Sequence, residues 1–242
     1  MQSVTVTANA ERTTVGAFNV MLPLAFMFLL FMGIMGGGQG LLTSTIEEKS
    51  SRVMEVLLSA VSPMQLMAGK LIGYMSVSLV GMSFYVIAGL LALTSFSLFG
   101  LIDPSLIGYL FIFFVIAYFV IGSIMMAIGS AVSEMREAQS LMMPVTIVMI
   151  LPWLLWLPIS RDPNSTLSVV ASFIPPINSF GMLLRMASSE PPPLWQVWAS
   201  IGVGVLSVYL ALWMAARIFR IGLLLTGKPP NLGTLLRWVR MG

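Results

Sequence analysis

Long apolar runs without charge, broken by short charged loops, constrain this chain more than anything else in it. The runs are Val20 to Leu42, Leu71 to Phe99, Leu106 to Val132, Leu141 to Ile159 and Leu194 to about Ile218. Apart from Arg217 at the end of the last, none holds an Asp, Glu, Lys or Arg. Each can cross a bilayer, which asks for about 20 apolar residues in a helix. Apolar residues make up 58% of the chain and the mean hydropathy is +0.97, well beyond a soluble domain. Backbone polar groups in hydrocarbon must bond within their own segment, and these runs are too long and too uniformly apolar for barrel strands. The expected fold is therefore all-α: a polytopic membrane protein with about five transmembrane helices.

The fourth run contains Pro144, Pro152 and Pro158. Each removes a backbone donor, so this helix is expected to be kinked or locally unwound. Between the fourth and fifth runs, Leu167 to Met186 is apolar but interrupted by Pro175-Pro176, and it carries Asn178 and Arg185. Basic residues decide how to treat it, because short cytoplasmic loops retain Lys and Arg. If it does not span, Lys49, Arg52, Lys70, Arg136, Arg217, Arg220, Lys228, Arg237 and Arg240 share one side, against Arg12, Arg161 and Arg185 on the other. If it spans, the basic C-terminal tail moves outside and the bias inverts. The segment thus reads as a re-entrant or surface hairpin on the outer side, with the N-terminus outside and the C-terminus cytoplasmic in a cell membrane. Trp153, Trp156, Trp195 and Trp198 fall at the outer ends of runs four and five, where amphipathic rings favour the headgroup boundary.

Residues 1–19 read as an extracytoplasmic tail. The alternation Ser3-Val4-Thr5-Val6-Thr7 suggests either the last strand of a larger ectodomain or a short disordered segment. Residues 20–220 form the membrane domain and 221–242 a cytoplasmic tail, in which Leu235-Leu236-Arg237-Trp238-Val239-Arg240 reads as a basic segment on the inner leaflet. There is no Cys and no His, which removes thiol chemistry, the commonest metal ligand and the usual neutral-pH proton carrier. The net charge of +3 speaks to orientation rather than nucleic acid. Twenty methionines read as bundle filler, since no spacing marks a soft-metal site. No cofactor or metal site is expected.

Charge concentrates in the first cytoplasmic loop, where Glu47, Glu48, Lys49, Arg52 and Glu55 lie within ten residues. On a continuous helix Glu48 pairs with Arg52 and Arg52 with Glu55, while Val53, Val56, Leu57, Ala60 and Val61 form an apolar stripe. Ser62-Pro63-Met64-Gln65 supplies an N-cap, a proline at the first helical position and a capping-box Gln, so a second helix starts there. The loop should be two helices with a sharp corner. An interfacial anchor is the plain alternative. The next loop, Ser133 to Gln139, carries Glu134, Arg136 and Glu137 and is either a solvated turn or a secondary contact. Gly33/Gly37, Gly36/Gly40 and Gly69/Gly73 are small-xxx-small pairs that allow close helix approach.

The run Glu47 to Lys70, in residue order as well as composition, resembles the signature of type-2 ABC exporter permeases, particularly the sodium-efflux (NatB-like) branch. The similarity continues at Ser172-Phe173-Ile174-Pro175-Pro176 and at Ala216 to Gly222, so it covers nearly the whole chain. The resemblance implies that 47–70 is a coupling helix docking on an ABC ATPase subunit, two per complex. Glu47, Glu48, Lys49, Arg52 and Glu55 would be docking charges, Leu57, Leu58 and Pro63 the corner, and Gly69 and Lys70 the return to the membrane. It also implies a second permease half, as homodimer or heterodimer, surrounded by membrane lipid. NatB-like permeases usually carry a further first span and a large extracytoplasmic domain ahead of this part. That difference implies either a second polypeptide or a truncated form.

Exclusion from the residues leads to the same place. A Walker A loop needs Gly-x-x-x-x-Gly-Lys followed by Ser or Thr, whereas Gly69-Lys70 precedes Leu71 and Gly227-Lys228 precedes Pro229. No ATP site is encoded, so the chain is not expected to be an enzyme itself. An ion-coupled carrier or channel, the alternative, would keep ionisable groups at membrane depth. A membrane hydrolase would want His or Cys, although a serine mechanism stays formally open. The reading is a permease subunit driven from the cytoplasmic side, with its cargo open among lipids, peptides, drugs and ions.

Overall fold

The computed structural model describes residues 2–51, 53–95, 103–224 and 232–241, with side chains from Met21 onward apart from a few positions. Five long helices dominate: α1 (Gln2–Ser50), α3 (Pro63–Ser95), α4 (Ser105–Ala131), α5 (Met135–Arg161) and α8 (Leu194–Leu224). Each contains a stretch long and apolar enough to cross a membrane, that of α1 being Met21–Ser50. Four shorter helices join them: α2 (Val53–Ala60), α6 (Thr166–Ala171), α7 (Asn178–Met186) and α9 (Leu232–Met241). The protein is an all-helical, polytopic membrane protein. The expected end of the second run at Phe99 lies outside the described residues.

α4 is the hub. From Phe113 to Ala131 nearly every residue is buried, against α1 on one side and α8 on the other. Close approach to α1 follows from glycine: a methyl group at Gly33 would sit 2.7 Å from the Phe114 ring, and one at Gly37 would meet Ser78 Oγ at 2.1 Å and the Tyr118 ring at 2.6 Å. Gly40 packs likewise on Tyr74, while Gly36, Gly69 and Gly73 face open space. Only some of the small-residue pairs therefore bring helices together. α3 is peripheral, burying Met67, Leu71, Met82 and Val86.

Two expectations are corrected. Ser3 to Thr7 is neither strand nor disordered tail, because α1 continues unbroken from Gln2. Five alternating residues are too few to set a period, and extending an existing helix costs far less than nucleating one. α5 is continuous through Pro144, Pro152 and Pro158 rather than unwound. Each proline forfeits one bond while the neighbouring ladder persists.

Leu167 to Met186 does not span: α6 and α7 have six and nine residues. They form a hairpin at the end of the bundle where α5 finishes and α8 begins. Ser165 caps α6 by accepting from Ser168 N–H. α7 starts deep, with Asn178 Nδ2 donating to the Ser200 carbonyl at 3.2 Å. A methyl at Gly204 would also touch that nitrogen. Gly204 lies ten residues beyond Leu194, so the hairpin dips about 15 Å along α8. α7 then climbs back to Arg185. That fully buried guanidinium donates to Pro163 O (2.5 Å), Gln196 Oε1 (2.6 Å), Asn164 Oδ1 (3.2 Å) and Ser172 Oγ (3.3 Å). Every partner is neutral, and burial lowers its pKa from the ordinary arginine value. The hairpin is thereby tied to α8 and to the loop that follows α5.

Candidate functional site

The opposite end of the bundle gathers the C-termini of α1, α4 and α8, the N-termini of α3 and α5, and α9. α1 stops at Ser50, where the Ser50 and Ser51 hydroxyls both donate back to the Glu47 carbonyl, at 2.9 and 2.8 Å. Ser51 N–H also donates to that carbonyl at 3.0 Å, so the hydroxyls join the last ladder bond rather than replace it. α1 ends at Ser50 and α2 begins at Val53, so Glu48 and α2 do not share a helix. Glu48 Oε2 instead meets Lys70 Nζ at 2.6 Å, linking the last turn of α1 to the first turns of α3. That ion pair closes the base of the loop. Arg52 lies outside the described residues, as do the side chains of Glu55 and Leu58.

Lys49 turns inward. Its Nζ donates to Ser130 O near the end of α4 and to Gly222 O near the end of α8, both at 2.7 Å. Glu47 is exposed. The five expected docking charges are thus not equivalent: one faces solvent, one is paired across the loop, and one holds helix ends.

α2 is a separate eight-residue helix. Leu57 packs on the core, whereas Val53 and Val56 are exposed, Val56 at 71%. Beyond the corner the capping box forms in both directions: Ser62 N–H donates to Gln65 Oε1 at 3.0 Å and Gln65 N–H to Ser62 Oγ at 3.3 Å. Pro63 occupies the first position of α3, and Met64 is exposed. An open groove of about 610 Å³ runs between α2 and α3, lined by Leu57, Val61, Gln65, Gly69, Lys70 and Tyr74 among others. The loop therefore presents exposed apolar side chains, Val53 and Val56 on α2 and Met64 at the start of α3, together with an exposed Glu47.

In the second loop Glu134 and Arg136 are exposed. Glu137 turns back to accept from Ser133 N–H, just ahead of α5, at 3.0 Å. α9 packs on α8 through Leu235 and Trp238, and Arg217 Nη1 of α8 donates to Val239 O near the end of α9 at 2.7 Å. The carbonyls of Ser130 and Gly222 were not foreseen as part of this end. A signal existed: helix C-termini leave four unbonded carbonyls each, and a lysine in the last turn of α1 can serve neighbouring termini as well as its own. Among the described residues no group of three or more His, Cys, Asp or Glu could hold a metal ion.

Residues 2–217 match the family described as ABC-2 family transporter protein. The chain is similar to the uncharacterized protein MJ1024 of Methanocaldococcus jannaschii, 29% identical over 205 residues, which is 85% of this chain and 50% of the relative. It is also similar to the uncharacterized protein YhaP of Bacillus subtilis, 28% identical over 227 residues, 89% of this chain and 53% of the relative. The chain thus spans about half the length of these curated relatives. No solved structure matches.

Proposed function

The chain belongs to the ABC-2 family of transporter proteins, and from that premise we propose that it is the permease subunit of an ATP-driven exporter. An ABC ATPase subunit docks on α2 and its flanks, and nucleotide-driven closure moves the membrane helices. The observation that carries this reading is the exposed pair Val53 and Val56, three residues apart on the short helix α2. Apolar side chains rimmed by charge suit a partner's cleft better than bulk water. Its base is stiff, because the Glu48–Lys70 pair and the Ser62–Gln65 box secure both ends. Of the docking charges, Glu47 faces outward to a partner, with Glu134 and Arg136 as a secondary contact.

Two ATPase subunits and a second permease half, identical or related, complete the assembly, since a path across the membrane needs two halves. This end of the bundle faces the cytoplasm. The placement within the sodium-efflux branch rests on the Glu47–Lys70 run, and the cargo is not specified by it.

The test is purification from the native host in mild detergent, followed by mass spectrometry. An ABC ATPase subunit is expected with the wild-type chain and is expected to be lost with Val56→Glu, while membrane insertion is retained. A chain that purifies without an ATPase and transports on a proton or sodium gradient would reject the reading in favour of an ion-coupled carrier.

A further inference from the structure

We propose that Lys49 is the residue through which movement of the α1–α2 loop reaches α4 and α8, a transmitting element rather than a docking charge. This rests on the reading above that an ATPase subunit pushes on that loop.

Three helix C-termini converge at this point. Each leaves unbonded carbonyls and carries roughly half a negative charge, so three together repel one another unless a cation lies between them. Lys49 is that cation. It belongs to the last turn of α1, and its two 2.7 Å bonds end on a carbonyl of each of the other helices. One side chain of α1 therefore bonds the ends of two other long helices.

The backbones around it leave little slack. A methyl at Gly129 of α4 would lie 2.9 Å from the Leu42 carbonyl of α1, and one at Gly222 of α8 would lie 2.8 Å from the Ser130 carbonyl of α4. α1 abuts α4, and α4 abuts α8, at the same level as the ammonium. Glu48, the preceding residue, holds Lys70 of α3. A push on α2, which begins at Val53, arrives first at the α1 terminus at Ser50. With Lys49 in place that push must carry the ends of α4 and α8 with it. Without it, the α1 terminus can move by itself and the displacement is absorbed in the loop.

The chain has no cysteine, so reporters can be placed freely. Ser105→Cys and Ala199→Cys put spin labels on exposed sites near the starts of α4 and α8, at the end remote from Lys49. In the permease–ATPase complex isolated from the native host, the interspin distance is compared between nucleotide-free and ATP–vanadate states. The wild-type background is expected to show a nucleotide-dependent shift. Lys49→Met is expected to retain the ATPase subunit and lose the shift, and Lys49→Arg, which keeps charge and donors, to restore it. If Lys49→Met does not accumulate in the membrane, Lys49→Gln is judged by the same criterion. A variant that lowers thermal stability but keeps the full shift makes Lys49 a cap alone and overturns the proposal, as does a wild-type complex without a shift. Absence of an ATPase subunit from the wild-type preparation is a different failure, that of the docking reading itself.

Discussion

Replacing Arg185 by Met tests whether the hairpin is held by its buried guanidinium. Four hydrogen bonds disappear. Asn164 is exposed and Gln196 half-buried, so their oxygens regain water. Pro163 O and Ser172 Oγ sit in buried residues and are left without that donor. A hydrogen bond from a charged donor contributes about 1.5–3 kcal/mol, so two such losses amount to about 3–6 kcal/mol. Removing the need to desolvate a cation offsets part of this, leaving a net loss of about 2–4 kcal/mol. Unfolding in an SDS titration measures the change. In parallel, maleimide labelling of Ser179→Cys, fully buried on α7, reports local opening. Arg185→Lys should recover only part of the loss, since one ammonium cannot reproduce a planar fork bonded on three nitrogens. An Arg185→Met protein within about 0.5 kcal/mol of wild type, with Ser179→Cys still protected, would refute the reasoning.

Gly37→Val should destabilise by about 1–3 kcal/mol, because its Cβ alone would overlap Ser78 Oγ and the Tyr118 ring, whereas Gly36→Ala meets nothing and should be neutral or slightly stabilising. Equal effects of the two in the same titration would count against the α1–α3–α4 packing. For the loop base, Glu48→Lys and Lys70→Glu should each cost about 1–2 kcal/mol and the double exchange should recover most of it, given a pair whose side chains are 29% and 11% exposed; a coupling energy near zero in that double-mutant cycle would dismiss the pair. Asp103 accepts from Ser105 N–H at 2.9 Å, and this bond lowers its pKa below the ordinary carboxylate value. Its contribution is therefore present above the unfolded pKa and lost as pH falls through the lower folded one, so Asp103→Asn should flatten the acid limb of stability below about pH 4.

Most of the architecture could be read from residue order because hydrocarbon leaves so few solutions. The five crossings, the non-spanning segment at Leu167 to Met186 and the helix start at Ser62-Pro63 all follow from local chemistry, in which each residue's nearest determinants are a few positions away. Pro144, Pro152 and Pro158 do not unwind α5, because each removes one backbone donor while the bonds on either side persist. Gly69 and Gly73 share the spacing of Gly33 and Gly37, yet only the latter meet aromatic rings. Spacing says that two helices can approach, and the bulk on the opposing helix decides whether they do.

The charged end was harder to read for a related reason. Pairing Glu48 with Arg52 assumes one continuous helix, whereas α1 ends at Ser50 and α2 begins at Val53. Glu48 then finds a lysine twenty-two residues away, a partner no periodicity could select. Lys49 carries the point further, since its acceptors are main-chain oxygens distant in the chain, and a carbonyl has no residue type by which to recognise it. Charges that stay exposed, such as Glu47, could be located from composition, because a loop between two spans has to meet water. Charges that bind the bundle's own helix ends could not. The division separates two kinds of charge: an exposed group is free to meet something outside the chain, while one bonded to α4 and α8 is committed to the bundle itself.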